Sequence, residues 1–208
     1  MAIDKTKVLQ DVQAGRGVII GSMAVPTDPY YEDLSGVNAY NPEQAKALLK
    51  EAGATDLTLR FRPANLPYAT AAATDVAAML QAVGVKVVLE PQPWPNWVQQ
   101  VFVGKDYDLT IVAHVEARDL NTYDNSQFPS YYWGYANPTF NKLWLDADQA
   151  SKEQYPELMK KAARQLADDA PSVWLYMMPN LVVTKATVTG VGQNQTTDSF
   201  DVTTIATR

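Results

Sequence analysis

Residues 57–90 read LTLRFRPANLPYATAAATDVAAMLQAVGVKVVLE, and the change of period inside this stretch decides the fold class. Leu57, Leu59 and Phe61 alternate with Thr58, Arg60 and Arg62, the two-residue rhythm of a half-buried strand. From Tyr68 to Val83 the rhythm changes, and Ala72, Val76, Met79, Leu80 and Val83 fall on one helical stripe. Gly84 stops the helix, and Val85, Val87 and Leu89 resume the alternation. A strand, helix, strand run predicts parallel neighbours joined by a right-handed crossover. Open sheets of this kind hold ligands beyond the carboxyl ends of their strands.

Upstream, Asn41 is placed to cap a helix that starts at Pro42, carries Glu43 in its first turn, presents Ala45, Leu48, Leu49 and Ala52 on one face and stops at Gly53. An earlier helix is expected over Asp4–Val12, ended by Gly15 and Gly17. The Pro-, Gly- and Tyr-rich stretch Val18–Tyr40 reads as extended and surface-following. Downstream, Pro91, Pro93 and Pro95 bracket Trp94 and Trp97 before a short helix reaching about Val103, and Trp97 is expected in the core. Tyr107–Ala113 reads as a third strand suited to a sheet interior. His114–Asn137 is a long, polar and aromatic loop, the kind that is usually either functional or misassigned. Helices starting at Pro138 and near Tyr155 follow, Pro171 ends the second, and Val173, Leu175 and Met177 alternate as a last strand. The order predicts an α/β or α+β layer fold with a mixed sheet flanked by helices.

Composition removes several classes of function. The 208 residues contain no cysteine and one histidine, so thiolate sites, disulfides and clustered imidazole metal sites are excluded. Seventeen basic against twenty-three acidic residues give a net charge of −6 without a basic run, which argues against nucleic acid as a partner. No apolar run reaches the roughly 18 residues of a membrane span, and Met1–Gln10 reads as a polar helix rather than an export signal. Gly-x-Ser-x-Gly, His-Glu-x-x-His and phosphate-loop patterns are all missing.

Six segments, in order, resemble the C-terminal part of the family 5 extracytoplasmic solute-binding proteins, the oligopeptide, dipeptide and nickel receptors of ABC importers. They are Ala2-Ile3-Asp4-Lys5, Tyr40 to Gly53, Leu80 to Val87, Tyr107-Asp108-Leu109, Gly134-Tyr135-Ala136-Asn137-Pro138 and Asp168 to Tyr176. The resemblance implies the C-terminal lobe of a two-lobed, class II periplasmic-binding-protein-like fold. Residues 1–180 would form that lobe, and residues 181–208 would be a tail returning to an N-terminal lobe that this chain lacks. The expectation is therefore an expressed fragment with Met1 as an introduced start. It carries half of a site that closes around a peptide-like solute for delivery to a membrane permease. The implied location is extracytoplasmic, in the periplasm or on a membrane-anchored lipoprotein.

The strand ends and the resemblance both direct attention past Ala113. His114, Glu116, Arg118 and Asp119 lie within six residues of the third strand's end, and the family carries ligand contacts in this loop. A carboxylate there suits a ligand ammonium, and Arg118 suits a carboxylate. Tyr132 and Trp133 are expected to face the cleft as stacking walls. Peptide-binding members show an Asp-Pro signature in this loop, which Asn121-Thr122-Tyr123-Asp124-Asn125 lacks. No cofactor is expected. Two other readings compete: a free-standing carbohydrate-binding module using Trp94, Trp97 or Trp133, and a hydrolase using His114 as general base.

Overall fold

The computed structural model describes residues 1–115, 119–129, 131–179, 181–192 and 201–208. Its centre is the unit that the alternating pattern predicts. Strand β1 (Thr58–Phe61) lies parallel to β2 (Lys86–Leu89), with Thr58 opposite Lys86 and Phe61 opposite Leu89, and helix α3 (Pro67–Ala82) forms the crossover between them. Pro67 opens α3 with its pre-set backbone, and Ala69, Ala72, Ala73, Val76 and Ala77 bury its inner face. Those small residues let α1 (Lys5–Gln13) come close, and Val8 of α1 packs with Phe61, Ala72, Ala73 and Val76 in one apolar cluster.

Helix α2 (Pro42–Glu51) begins as its sequence dictates, with Asn41 Oδ1 accepting from the Gln44 N–H at 3.0 Å. At the end of α1 the left-handed backbone starts one residue early: Ala14 (φ 52°) is the cap, with its N–H reaching the Leu9 carbonyl, and the expected Gly15 (φ 74°) and Gly17 (φ 147°) follow with positive φ. A glycine with a clear steric reason is Gly21, where a Cβ would come within 1.9 Å of the Leu34 carbonyl carbon. That close approach folds the extended stretch 18–40 back on itself and buries Ile20, Ala24, Tyr30 and Leu34.

Beyond β2, helix α4 (Trp94–Asn96) runs into a π-helical segment, Trp97–Val103. The third strand is shorter than Tyr107–Ala113. Leu109 forms a parallel bridge with Phe61, and the Arg62 N–H donates to the Leu109 carbonyl at 2.8 Å, but a full ladder does not develop. The next acceptor, the Arg62 carbonyl just past β1, receives the Thr110 hydroxyl at 2.7 Å. A side chain thus competes with the ladder. The expected last strand also shrinks, to one antiparallel bridge between Met177 and Val18.

Helices α5 (Pro138–Asp148) and α6 (Tyr155–Asp169) pack together over Phe140, Trp144, Ala147, Met159, Ala162, Ala163 and Leu166, with Leu120, Tyr123 and Trp174 completing that core. In the tail, β3 (Val188–Thr189) and β4 (Ala206–Thr207) form a short antiparallel pair, and Val183 is 95 % exposed. The chain exposes 12195 Å² in all, well above the ~9,600 Å² expected of a self-contained globule of its mass.

Candidate ligand-binding site

The carboxyl ends of β1 and β2 are stitched by reciprocal backbone bonds, Asn65 N–H to the Gln92 carbonyl (2.8 Å) and Gln92 N–H to the Pro63 carbonyl (2.9 Å). Beside them, the Ala64 N–H reaches the Ile111 carbonyl at 3.4 Å, so the chain arrives at Ala113 alongside the end of β1. Ala113 is held there by its N–H, which donates to the Tyr68 hydroxyl at 2.9 Å from the first turn of α3. His114 therefore stands beyond the strand ends, where the topology leads a ligand site to be sought.

From that point the backbone is irregular, and side chains organise it. A 3-10 turn, Asp119–Tyr123, is locked by the Thr122 hydroxyl on the Asp119 carbonyl (2.6 Å). His114 spans the gap to the segment 131–133: Nδ1 lies 3.1 Å from Asp119 Oδ2, and Nε2 lies 2.8 Å from the Tyr132 hydroxyl. The imidazole plane is within 9° of the Tyr132 ring and its centroid is 5.0 Å from Trp133. The Trp133 indole N–H donates to the Thr122 carbonyl at 3.2 Å, and its ring stacks on Tyr123 at 4.3 Å.

Behind this layer the Trp97 N–H donates to Thr110 Oγ1 at 2.9 Å, and its ring meets Tyr132 edge-on. The Tyr107 hydroxyl donates to the Tyr132 carbonyl at 2.6 Å. Burial pushes the Tyr107 phenol up to about 12, and it raises Tyr132 and Tyr123 further above the ordinary phenol range. All three phenols thus remain O–H groups at neutral pH, with Tyr107 donating to the Tyr132 carbonyl and Tyr123 paired with the Ser172 hydroxyl at 2.8 Å.

Not every expected contact residue faces solvent. Tyr132, expected to line a cleft, is instead 6 % exposed and packs with Ala64, Trp97 and Val101, because its hydroxyl is satisfied internally by His114. Asp119 is 7 % exposed and turns a carboxylate oxygen to His114 rather than outward. Trp133 is half-buried, Val115 is exposed, and Glu116 and Arg118 lie outside the described residues. Trp97 is in the core as its proline-braced position predicts, while Trp94 stacks on it and stays half exposed. Sequence reasoning missed Tyr68, whose only signal is its place directly after the Pro67 that opens α3.

Two open concavities lie elsewhere. One, of about 410 Å³, is on the α6 face, where the Arg164–Glu32 and Lys160–Glu157 pairs satisfy each other. The other, of about 390 Å³, runs between the end of α1 and the start of α3 and includes Tyr68.

The sequence profile of bacterial extracellular solute-binding proteins, family 5 Middle, matches residues 1–141. The chain belongs to this family. Among its curated relatives, Di/tripeptide-binding protein 4 of Pseudomonas aeruginosa (strain UCBPP-PA14) is 30 % identical over 174 residues, covering 78 % of this chain and 31 % of that protein. The murein tripeptide binding protein MppA of Escherichia coli superposes with a TM-score of 0.85 at 19 % identity, over 99 % of this chain and 43 % of that one. The agropinic acid complex of AgaA from Agrobacterium tumefaciens R10 gives 0.72 at 21 % identity, over 85 % and 38 %. The fold is therefore part of the periplasmic-binding-protein architecture, and the chain spans about a third of the length of the curated relatives it matches. Members of the family are extracytoplasmic substrate-binding proteins. Among the described residues no helix is long and apolar enough to cross a membrane.

Proposed function

We propose that this chain forms one wall of the solute site in the substrate-binding component of an ABC importer, and that the solute is a peptide or related small molecule. Residues 1–180 make the lobe, and residues 181–208 belong against a second lobe. The observation that carries the reading is the polar and aromatic layer of His114, Asp119 and Trp133, set on irregular backbone just past the strand ends in a chain of this family. Further support comes from the surface exposed beyond that of a self-contained globule, and from the exposed Leu181 and Val183 in the tail. Relatives named as binding di- and tripeptides support this class of solute. The partners are a membrane permease and a second lobe that completes the cleft, and the place of action is the periplasm or the outer face of a membrane.

A small ligand gains affinity by burying about 70 to 90 % of its surface, and hinge closure supplies the second wall. One wall does not achieve that. Calorimetric titration with a dipeptide and tripeptide panel should give binding to the two-lobed protein and only weaker than micromolar binding, or none, to the 208-residue chain. Micromolar or tighter binding by the chain alone would overturn the half-site reading. A hydrolase built on His114 is less well supported, because a general base must reach the proton it abstracts from a nucleophile and the hydroxyl at its Nε2 is the buried phenol of Tyr132.

A further inference from the structure

We propose that His114 is a positioning residue: an ordered Asp119–His114–Tyr132 chain of hydrogen bonds holds the Trp133 indole as an apolar wall, and neither imidazole nitrogen is offered to the solute. The word wall rests on the solute-binding reading above; the proton arrangement does not.

The chemistry of the three groups sets the direction of the protons. An ionised carboxylate accepts and cannot donate, so Nδ1 carries the hydrogen that meets Asp119 Oδ2 at 3.1 Å. Nε2 then keeps its lone pair and accepts the Tyr132 O–H at 2.8 Å. Burial keeps that phenol protonated. Both nitrogens are used, and both partners are more than nine-tenths buried. A solute contacting either nitrogen would have to leave a buried group without its partner.

The same chain joins three segments that no ladder connects. Asp119 belongs to the 3-10 turn, Tyr132 to the segment after Phe128, and His114 to the strand end. Trp133 sits where they meet, 5.0 Å from the imidazole centroid and stacked on Tyr123 of the turn. Its indole N–H is fixed by the Thr122 carbonyl of that turn, so movement of the turn relative to 131–133 would strain this bond.

Because the chain has one histidine, ¹⁵N-histidine labelling reports on this ring alone. At a pH where the ring is neutral, the spectrum should show a protonated Nδ1 and an unprotonated Nε2. An Nε2–H tautomer or an averaged mixture of tautomers would overturn the proposal. In parallel, hydrogen exchange of the Trp133 indole should be about tenfold faster in His114→Ala. It should be similarly fast in Tyr132→Phe, which removes a single oxygen and reports even where the alanine variant does not fold. Exchange unchanged in Tyr132→Phe would overturn the positioning role. These measurements need no solute, so their failure and the failure of the solute-binding reading are separately visible.

Discussion

The α5–α6 pair and the described residues around His114, Asp119–Tyr123 and 131–133 are held by different means. In α6, Met159, Ala162, Ala163, Leu166 and Ala167 recur at helical spacing and all turn inward against Phe140, Trp144 and Ala147 of α5. Between 114 and 133 no period exists. There, order comes from directed contacts, with His114 between Asp119 and Tyr132 and with Trp133 on Tyr123. Periodic burial is legible and robust because apolar area is non-directional. Directed contacts depend on where distant parts of the chain happen to meet.

The sharpest way to break that contrast is to hollow the helical core. Phe140→Ala, at a side chain with no exposure, should cost about 3–5 kcal/mol, read as a lower urea midpoint; a loss under about 1 kcal/mol would mean that the pair contributes little to the fold. Nearer the site, Trp97 and Trp94 stack at 5.2 Å but only Trp97 is buried. Trp97→Ala should cost about 3–5 kcal/mol and Trp94→Ala within about 0.5 kcal/mol by thermal melting, and equal losses would refute the assignment of one ring to core and the other to surface.

A smaller effect belongs to the cap. Asn41→Ala removes the acceptor for the Gln44 N–H and should cost about 1 kcal/mol, with Asn41→Ser restoring most of it. The smallest concerns Asp169, whose Oδ2 accepts from the Tyr135 hydroxyl at 2.5 Å and from the Asn137 amide at 2.6 Å. These bonds hold its carboxyl below the usual carboxylate range, the tyrosine contributing most. A depressed carboxylate stabilises the fold above the ordinary value of about 3.9, and the contribution disappears as pH falls through the lowered value. Because Asp169 is exposed, solvent screening leaves little of this as stability. The cleaner readout is the carboxyl titration by NMR, whose midpoint should rise in Tyr135→Phe and which would contradict this reading by staying put.

Local rules made much of the frame legible. The Asn41-Pro42 and Asn137-Pro138 starts are used as caps, the strand, helix, strand run forms its parallel pair, and Trp97 lies in the core. Two strand readings failed in extent, and for a definite reason at Thr110: its hydroxyl took the Arg62 carbonyl that the next ladder bond needed. At the α1 terminus Gly15 and Gly17 take the positive-φ backbone expected of them, and Ala14 just before them joins in. Of the site, the location past Ala113 was readable from topology, and the roles of its residues were not.

By itself, then, the order of residues determined which segments are helices, where they start, and that a parallel pair would point its strand ends toward His114. Periodicity and capping are local, and a few neighbouring residues suffice to express them. Only the tertiary structure decided that Tyr132 turns inward, that both nitrogens of His114 have protein partners and that Gly21 must pass the Leu34 carbonyl. Those outcomes depend on pairs many residues apart, brought together by the whole fold, and no local pattern in the chain encodes which atoms will meet.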